Sequence, residues 1–292
     1  MKKILITGAD SYIGTSLEKY LNENYPMQYT VDTVDMIDDG WREKNFSGYD
    51  SVFHVAGIAH SDNGKVDEKK AELYYSVNTN LTIETAKKAK AEGAKQFIFM
   101  SSIIVYGDSA PIGKEKIITR ETPVSPANCY GDSKLQAENG LKKIMDDKFK
   151  VVILRPPMIY GKGHKGNYSL LSKIAKVTPI FPYIKNERSM IYIDNLCEFV
   201  RLMIENEEKG IFYPQNSEYS NTSEIVRMIA HVCDKNVIIV KGFTPMLKIA
   251  SKFTGLVNKA FGNLAYEKDM SRYKDNYLVV DTLEKSIFYT ES

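Results

Sequence analysis

Residues Lys3 to Thr7 (KILIT) run without alternation into GADSYIG, Gly8 to Gly14. An amphipathic segment follows, with Ile13, Leu17 and Leu21 on one stripe and Glu18, Lys19 and Glu23 off it. A short unbroken apolar run suits a strand buried on both faces, and the stripe has helical spacing. Strand, glycine turn and helix in that order open a dinucleotide-binding unit. The helix N-terminus offers N–H groups and a positive dipole end to a pyrophosphate, and glycine lets the backbone come close. Gly8, Asp10, Ser11, Tyr12, Ile13 and Gly14 are therefore candidate cofactor contacts. Their spacing is GxxxxxG, with Ser11 where a middle glycine is usual.

Far downstream, CYGDSK places Tyr130 four residues before Lys134 at the head of a helical run, SKLQAENGLKKIM. Positions i and i+4 of a helix share one face, so a phenol is held beside an ammonium. A free tyrosine, with a pKa near ~10, is a poor base at neutral pH. A nearby cation favours the phenolate, which makes the pair a proton-transfer device.

The intervening strands carry further candidates. Tyr29 to Asp35 (YTVDTVD) ends in an acid some twenty residues past the glycine turn, the place for a carboxylate that hydrogen-bonds the adenosine ribose. Asp35 is the first choice and Asp32 the fallback. The following MIDDGW holds no Arg at once to grip a 2′-phosphate, so NAD is expected rather than NADP. A third strand, Ser51 to Val55, leads into Ala56 and Gly57, small enough for a cofactor to approach, and then to His60, read as a loop histidine. A charged helix over Asp67–Glu92 is expected to bury Leu73, Val77, Leu81, Ile83 and Ala86. The buried strand Gln96 to Met100 delivers Ser101 and Ser102 at its carboxyl end, where ligands of open α/β sheets bind.

The glycine turn together with YxxxK resembles the extended branch of the short-chain dehydrogenase/reductase superfamily, the NAD-dependent epimerase/dehydratase family, and within it the UDP-sugar 4-epimerases. The resemblance implies an α/β fold: a Rossmann-type doubly wound parallel sheet with a smaller C-terminal substrate-binding lobe. It places residues 1–163 and about 190–208 in the NAD-binding domain, and about 164–189 with 209–292 in the nucleotide-sugar lobe. Ser102, four before Tyr106 of the VYG run, matches the catalytic serine, with Tyr130 and Lys134 completing the set. Ser101, Ala56, Gly57 and Asn78 fall at cofactor positions, Asn78 as a buttress of the cofactor loop. Ser102, Tyr130, Asn167 and Arg188 are implied substrate contacts, Arg188 as a diphosphate clamp gripping through paired hydrogen bonds.

The residues after Ser102 narrow the chemistry. Sugar 4,6-dehydratases of this family carry an Asp–Glu pair there, the decarboxylases a nearby Glu, and the 3,5-epimerase/reductases a Cys. Ile103 and Ile104 cannot transfer protons. What remains is redox chemistry at one carbinol carbon. The implied activity is nucleotide-sugar 4-epimerisation through a transient 4-keto sugar, with NAD as cofactor. A one-way NAD(P)H-dependent 4-keto-sugar reductase would use the same residues. A non-catalytic NAD-binding regulator usually lacks the Tyr or the Lys. The resemblance also implies a homodimer formed through the helices over Asp67–Glu92 and Ala127–Met145. The partner is a nucleotide-diphosphate sugar, UDP being the family's commonest base.

The segment Asp108 to Asn128 is a long Pro- and Gly-rich connection of the kind that covers a site. Cys129 is read as a small buried hydrophobe rather than a nucleophile. His164 and Lys165 fit a basic surface loop. A balance of 39 basic against 37 acidic residues leaves no nucleic-acid footprint. Three scattered cysteines suit a reducing, cytoplasmic setting without disulfides or zinc. No stretch reaches the ~20 apolar residues of a membrane span. Near the end, Thr244 and Pro245 are expected to start one helix. Its apolar face would run from Met246 to Phe261, packed on the small lobe or resting on a membrane surface.

Overall fold

The computed structural model describes residues 1–58 and 66–292, so His60 lies outside the described residues. The chain divides into two compact units: residues 1–107, 124–156 and 196–213, and residues 108–123, 157–195 and 214–292.

The first unit holds β1 (Lys2–Thr7), α1 (Tyr12–Asn24), β2 (Tyr29–Val34), β3 (Ser51–His54), α2 (Glu68–Tyr74), α3 (Thr82–Ala91) and β4 (Gln96–Met100). It continues with α4 (Cys129–Ile144), β5 (Lys150–Leu154), the helix α5 (Ile193–Glu205) from Leu196 on, and β6 (Gly210–Phe212). The six strands make one parallel sheet in the order β2-β1-β3-β4-β5-β6. The chain leaves β1 for β2 on one side and returns for β3 on the other. A crevice for ligands therefore opens at the carboxyl ends of β1 and β3. Those ends are level, since Thr7 pairs with both Val34 and His54.

Both faces of the sheet are covered, which is why its strands read as unbroken apolar runs. Leu5, Val52, Phe97, Phe99, Val151 and Ile153 pack with Ala86 and Ala89 of α3 and with Ala137 and Leu141 of α4. The alternate residues Ile4, Ile6, Phe53, Ile98 and Val152 are equally buried and point to the other face. There, Tyr20 of α1 donates to Glu198 of α5 at 3.0 Å.

The helical stretch after β3 differs from expectation. Between α2 and α3, residues Tyr75–Leu81 wind as a π-helix. Leu73 is 49 % exposed, while the buried positions are Tyr74, Asn78, Thr79, Thr82, Thr85, Ala86 and Ala89. The expected stripe fails at Leu73 and is only partly buried at Val77, Leu81 and Ile83, because most of the fully buried face is polar and each polar group on it has a partner. Thr79 Oγ1 donates to Ser133 O at 2.7 Å, and Thr85 Oγ1 to Leu81 O at 2.7 Å.

The second unit contains three two-stranded parallel ladders: Met158–Tyr160 with Met190–Tyr192, Ile180–Pro182 with Ile238–Val240, and Ile117–Ile118 with Ala265–Tyr266. The last draws the connection after residue 108 into this unit, and Ala110 adds a bridge to Asn263. The sequence reading counted 108–123 and 157–163 with the first unit; by contacts they belong to the second. The expected single C-terminal helix is two, Thr244–Ala250 and Gly255–Phe261. The break has a local cause: Thr254 and Gly255 are poor helix formers, and the Ser251 hydroxyl turns back to Lys248 O at 2.8 Å. Phe243, not Thr244, is the N-cap.

Candidate active site

The glycine turn leaves β1 with Gly8 at φ +92°, and the N–H groups of Gly8 and Ala9 both reach Val34 O. A methyl on Gly8 would sit 2.9 Å from Ala56 N, so this position tolerates no side chain. On Gly14 a methyl would meet Ser11 Oγ at 2.7 Å and Ile6 Cγ2 at 3.0 Å. Asp10 takes the left-handed conformation, φ +63°, which short polar residues tolerate. Ser11 is extended, φ −69°, and needs no glycine. It caps α1 by accepting from Gly14 N at 3.1 Å, which leaves its hydroxyl hydrogen able to donate to an anion. Tyr12 and Ile13 head α1, whose first N–H groups point out of this end.

Asp35 lies just beyond β2, exposed, with Oδ1 accepting from Ile37 N at 3.0 Å. Asp32 lies within β2 and accepts from the Tyr49 hydroxyl at 2.6 Å. That favours Asp35 as the ribose carboxylate. Across the crevice, Asn78 brackets the loop after β3, accepting from Ile58 N at 2.9 Å and donating to Ile58 O at 3.2 Å. A methyl on Gly57 would lie 3.0 Å from Asn78 Oδ1 and 3.2 Å from Lys134 Nζ. The turn, the bracketed loop and Asp35 thus form a cradle that suits a dinucleotide.

Ser102 stands directly after β4 in extended backbone and opens a tight turn over Ile103–Tyr106. Tyr130 is the second residue of α4, which Asn128 caps by accepting from Gly131 N at 2.9 Å. A methyl on Gly131 would lie 3.0 Å from Ile104 O, so α4 begins hard against the turn that carries Ser102. The Ser102 side chain reaches close enough to the phenol of Tyr130 to act on its titration. Burial raises the phenol's pKa, and Ser102 is the side chain that lowers it. This corrects one expectation: Lys134 is not the group that offsets burial here. Its ammonium donates to Met100 O at 3.0 Å and lies 4.8 Å over the Phe99 ring. Burial pulls Lys134 down to about 8, against the opposing charge of Glu138.

Ser101 faces inward. Its hydroxyl donates to Glu138 Oε1 at 2.6 Å, which leaves only its backbone for a cofactor. Glu138 is fully buried and receives Arg155 through two hydrogen bonds, 2.9 and 2.6 Å. Arg155 also donates to the Tyr106 hydroxyl at 2.6 Å. The sequence reading missed this cluster, although Glu138 lies four residues after Lys134 on the same face. It also missed His54, a fully buried ring joined to Thr7 Oγ1 at 2.7 Å and Thr82 Oγ1 at 3.0 Å. The Thr82 hydroxyl donates to Asn78 O, so its oxygen takes the Nε2–H of a neutral His54. Burial holds His54 at about 3.

The two expected substrate residues of the second unit can be placed only within it. Asn167 is exposed and heads the helix Asn167–Val177. Arg188 donates from Nη1 to Gly262 O at 2.9 Å and Ser109 Oγ at 3.3 Å, and burial pulls it down to about 10. The residues around it are tied into the second unit. Asn186 and Thr222 exchange two hydrogen bonds, and Ser189 Oγ donates to Gln215 Oε1 at 2.5 Å. Cys129, Cys197 and Cys233 are free thiols.

Comparison with known proteins agrees with this geometry. A family model described as "NAD dependent epimerase/dehydratase family" matches residues 4–213. A UDP-glucose 4-epimerase of Vibrio cholerae is 33% identical over 258 residues, covering 80% of this chain and 76% of the relative. An N-acetyl-α-D-glucosaminyl-diphospho-ditrans,octacis-undecaprenol 4-epimerase of Escherichia coli O157:H7 is 29% identical, over 71% of this chain and 64% of that protein. Among solved structures, UDP-glucuronic acid 4-epimerase from Bacillus cereus in complex with NAD superposes with a TM-score of 0.72 over 99% of this chain and 97% of its own, at 17% identity. A dTDP-4-dehydrorhamnose reductase from Clostridium acetobutylicum gives 0.66 over 82% and 83%, at 21% identity. At such identities the structural likeness speaks for the fold.

Proposed function

The chain belongs to the NAD dependent epimerase/dehydratase family, and on that premise we propose that it epimerises a nucleotide-linked sugar at C4. The observation that carries this reading is that α4 sets Tyr130 against the turn that carries Ser102 at the end of β4, where the residues after Ser102 are Ile103 and Ile104. Tyr130 takes the proton of the sugar hydroxyl and returns it. Ser102 donates to the same sugar oxygen and holds the phenol in place. Lys134, held at Met100 O and close to Gly57, would grip the nicotinamide ribose. NAD, when bound, supplies a hydride acceptor at the sugar carbon and a donor for the return.

Arg188 supports a diphosphate role. Among the described residues no carboxylate pairs with it, so its charge is matched by carbonyl and hydroxyl oxygen alone. The base is proposed as uracil, after the Vibrio cholerae relative. A homodimer built on the helices over 67–92 and 127–145 belongs to the same proposal.

The test is direct. Purified protein without added cofactor is incubated with UDP-glucose, UDP-N-acetylglucosamine, and N-acetylglucosamine on a polyprenyl diphosphate, the substrate type in the Escherichia coli relative's name. Formation of the C4 epimer, with NAD released on denaturation, supports the proposal. Stoichiometric consumption of NAD(P)H on a 4-keto sugar would replace it with the reductase reading. Retained NAD with no turnover of any substrate would leave a binding protein.

A further inference from the structure

The helix Thr244–Ala250 and the turn after it carry apolar side chains turned to solvent. Met246, Ile249 and Phe253 are 56%, 60% and 85% exposed. Met246 and Ile249, three residues apart, share one side of the first helix, and Phe253 stands in the turn that follows it. Lys248 and Lys252 are exposed beside them. From Lys235 to Tyr266 the chain has five lysines and no acidic residue, a charge of +5 in a protein whose net charge is +2.

The end of the second helix, Gly255–Phe261, is held from behind. Thr222 Oγ1 donates to Ala260 O at 2.6 Å, Arg188 to Gly262 O at 2.9 Å, and Asn263 to Lys114 O at 2.7 Å. Phe261 is buried, and a methyl on Gly262 would come within 2.4 Å of Ala110 O. The exposed side chains lie some ten residues before this anchored end.

We propose that this face docks on the anionic surface of a phospholipid bilayer. Its apolar side chains enter the headgroup boundary, and its lysines reach the phosphates. The charge argues against a second copy of the chain as the occupant. A two-fold interface would set the same lysines against themselves, and like charges repel. Docking is independent of the epimerase reading, and none of the side chains proposed to meet the bilayer is assigned to that reading.

The test is flotation of the full-length protein. Vesicles of roughly 3:1 phosphatidylcholine to phosphatidylglycerol should carry it upward at low salt, less at high salt, and pure phosphatidylcholine should not. The double variant Ile249→Glu/Phe253→Glu should weaken flotation by at least about tenfold. Lys248→Gln/Lys252→Gln should weaken it and remove most of the salt dependence. Circular dichroism should show the fold unchanged, and turnover of a soluble UDP-sugar should stay at the parent level. No flotation on the anionic vesicles at low salt overturns the proposal, as does flotation that ignores the Glu variants. Sedimentation showing a parent dimer that these variants dissolve would assign the face to a second copy instead. Flotation without epimerase turnover would remove the functional reading and leave the docking intact.

Discussion

Glu138 and Arg155 form a buried ion pair, closed by two hydrogen bonds, that ties α4 to the end of β5. The pair also takes the hydroxyl of Ser101, the residue next to Ser102. Charge out of water is tolerable only while both partners stand. Glu138→Gln or Arg155→Met alone should each cost about 3–5 kcal/mol in urea denaturation. Glu138→Leu/Arg155→Met together should restore most of that loss. Single variants within about 1 kcal/mol of the parent would show that the pair does not hold the layers together.

Tyr130 carries the proton in the proposed reaction. Tyr130→Phe should lose at least about a hundredfold in turnover, within the range general acid–base groups contribute. Ser102→Ala removes the group that lowers the phenol's pKa. The acidic limb of its rate profile should therefore move to higher pH, with reduced kcat. An unmoved limb would separate Ser102 from the phenol.

Lys134 titrates at about 8 in the folded protein, below its ordinary value near ~10.4. Turnover should fall on the alkaline side as the ammonium is lost. Lys134→Arg, which stays charged, should be slower but lack that limb. The stability contribution has the opposite sign. Between the folded and unfolded values the unfolded chain holds the extra proton, so this group favours folding more as pH rises through that window. Comparing parent and Lys134→Met melts at pH 8 and 10 measures it.

His54 is held at about 3, against an unfolded value near ~6.5. Below that unfolded value the unfolded chain binds a proton that the folded one refuses. Stability is therefore present above about pH 6.5 and drains away as pH falls toward 3. Well inside the window the slope is about 1.4 kcal/mol per pH unit. His54→Gln should be less stable at pH 7 and should lose this slope between pH 6 and 5, before most carboxylates titrate. Urea midpoints at the two pH values decide it, and equal slopes would mean the ring is not the group refusing the proton.

The site was legible in the sequence wherever its chemistry is local. Gly8 and Gly14 announce a turn that leaves no room for a side chain, and Tyr130 with Lys134 needs only one helical turn. Asn78 and Ser102 were found because they keep a fixed offset from such landmarks. Glu138, Arg155 and His54 were missed for one physical reason. Each is a polar residue satisfied by partners far along the chain, and patterns of hydrophobicity assign such residues to solvent. The same blindness misjudged Leu73, placed inside by its greasiness. The division into α and β layers survived because it rests on long apolar strands. The unit boundaries and the paired strand at Ile117–Ile118 depend on contacts that no short window contains.

The wide coil at Tyr75–Leu81 admits an extra residue into a single turn. Everything after it is rotated relative to everything before, which is how Asn78 meets Ile58 while Ala86 and Ala89 still find the sheet. Loss of one residue there would let the rod rewind to its ordinary pitch without unravelling. Asn78 and the pair Ala86 and Ala89 could then no longer both reach their partners, a lesion that sequence comparison would score as a trivial gap.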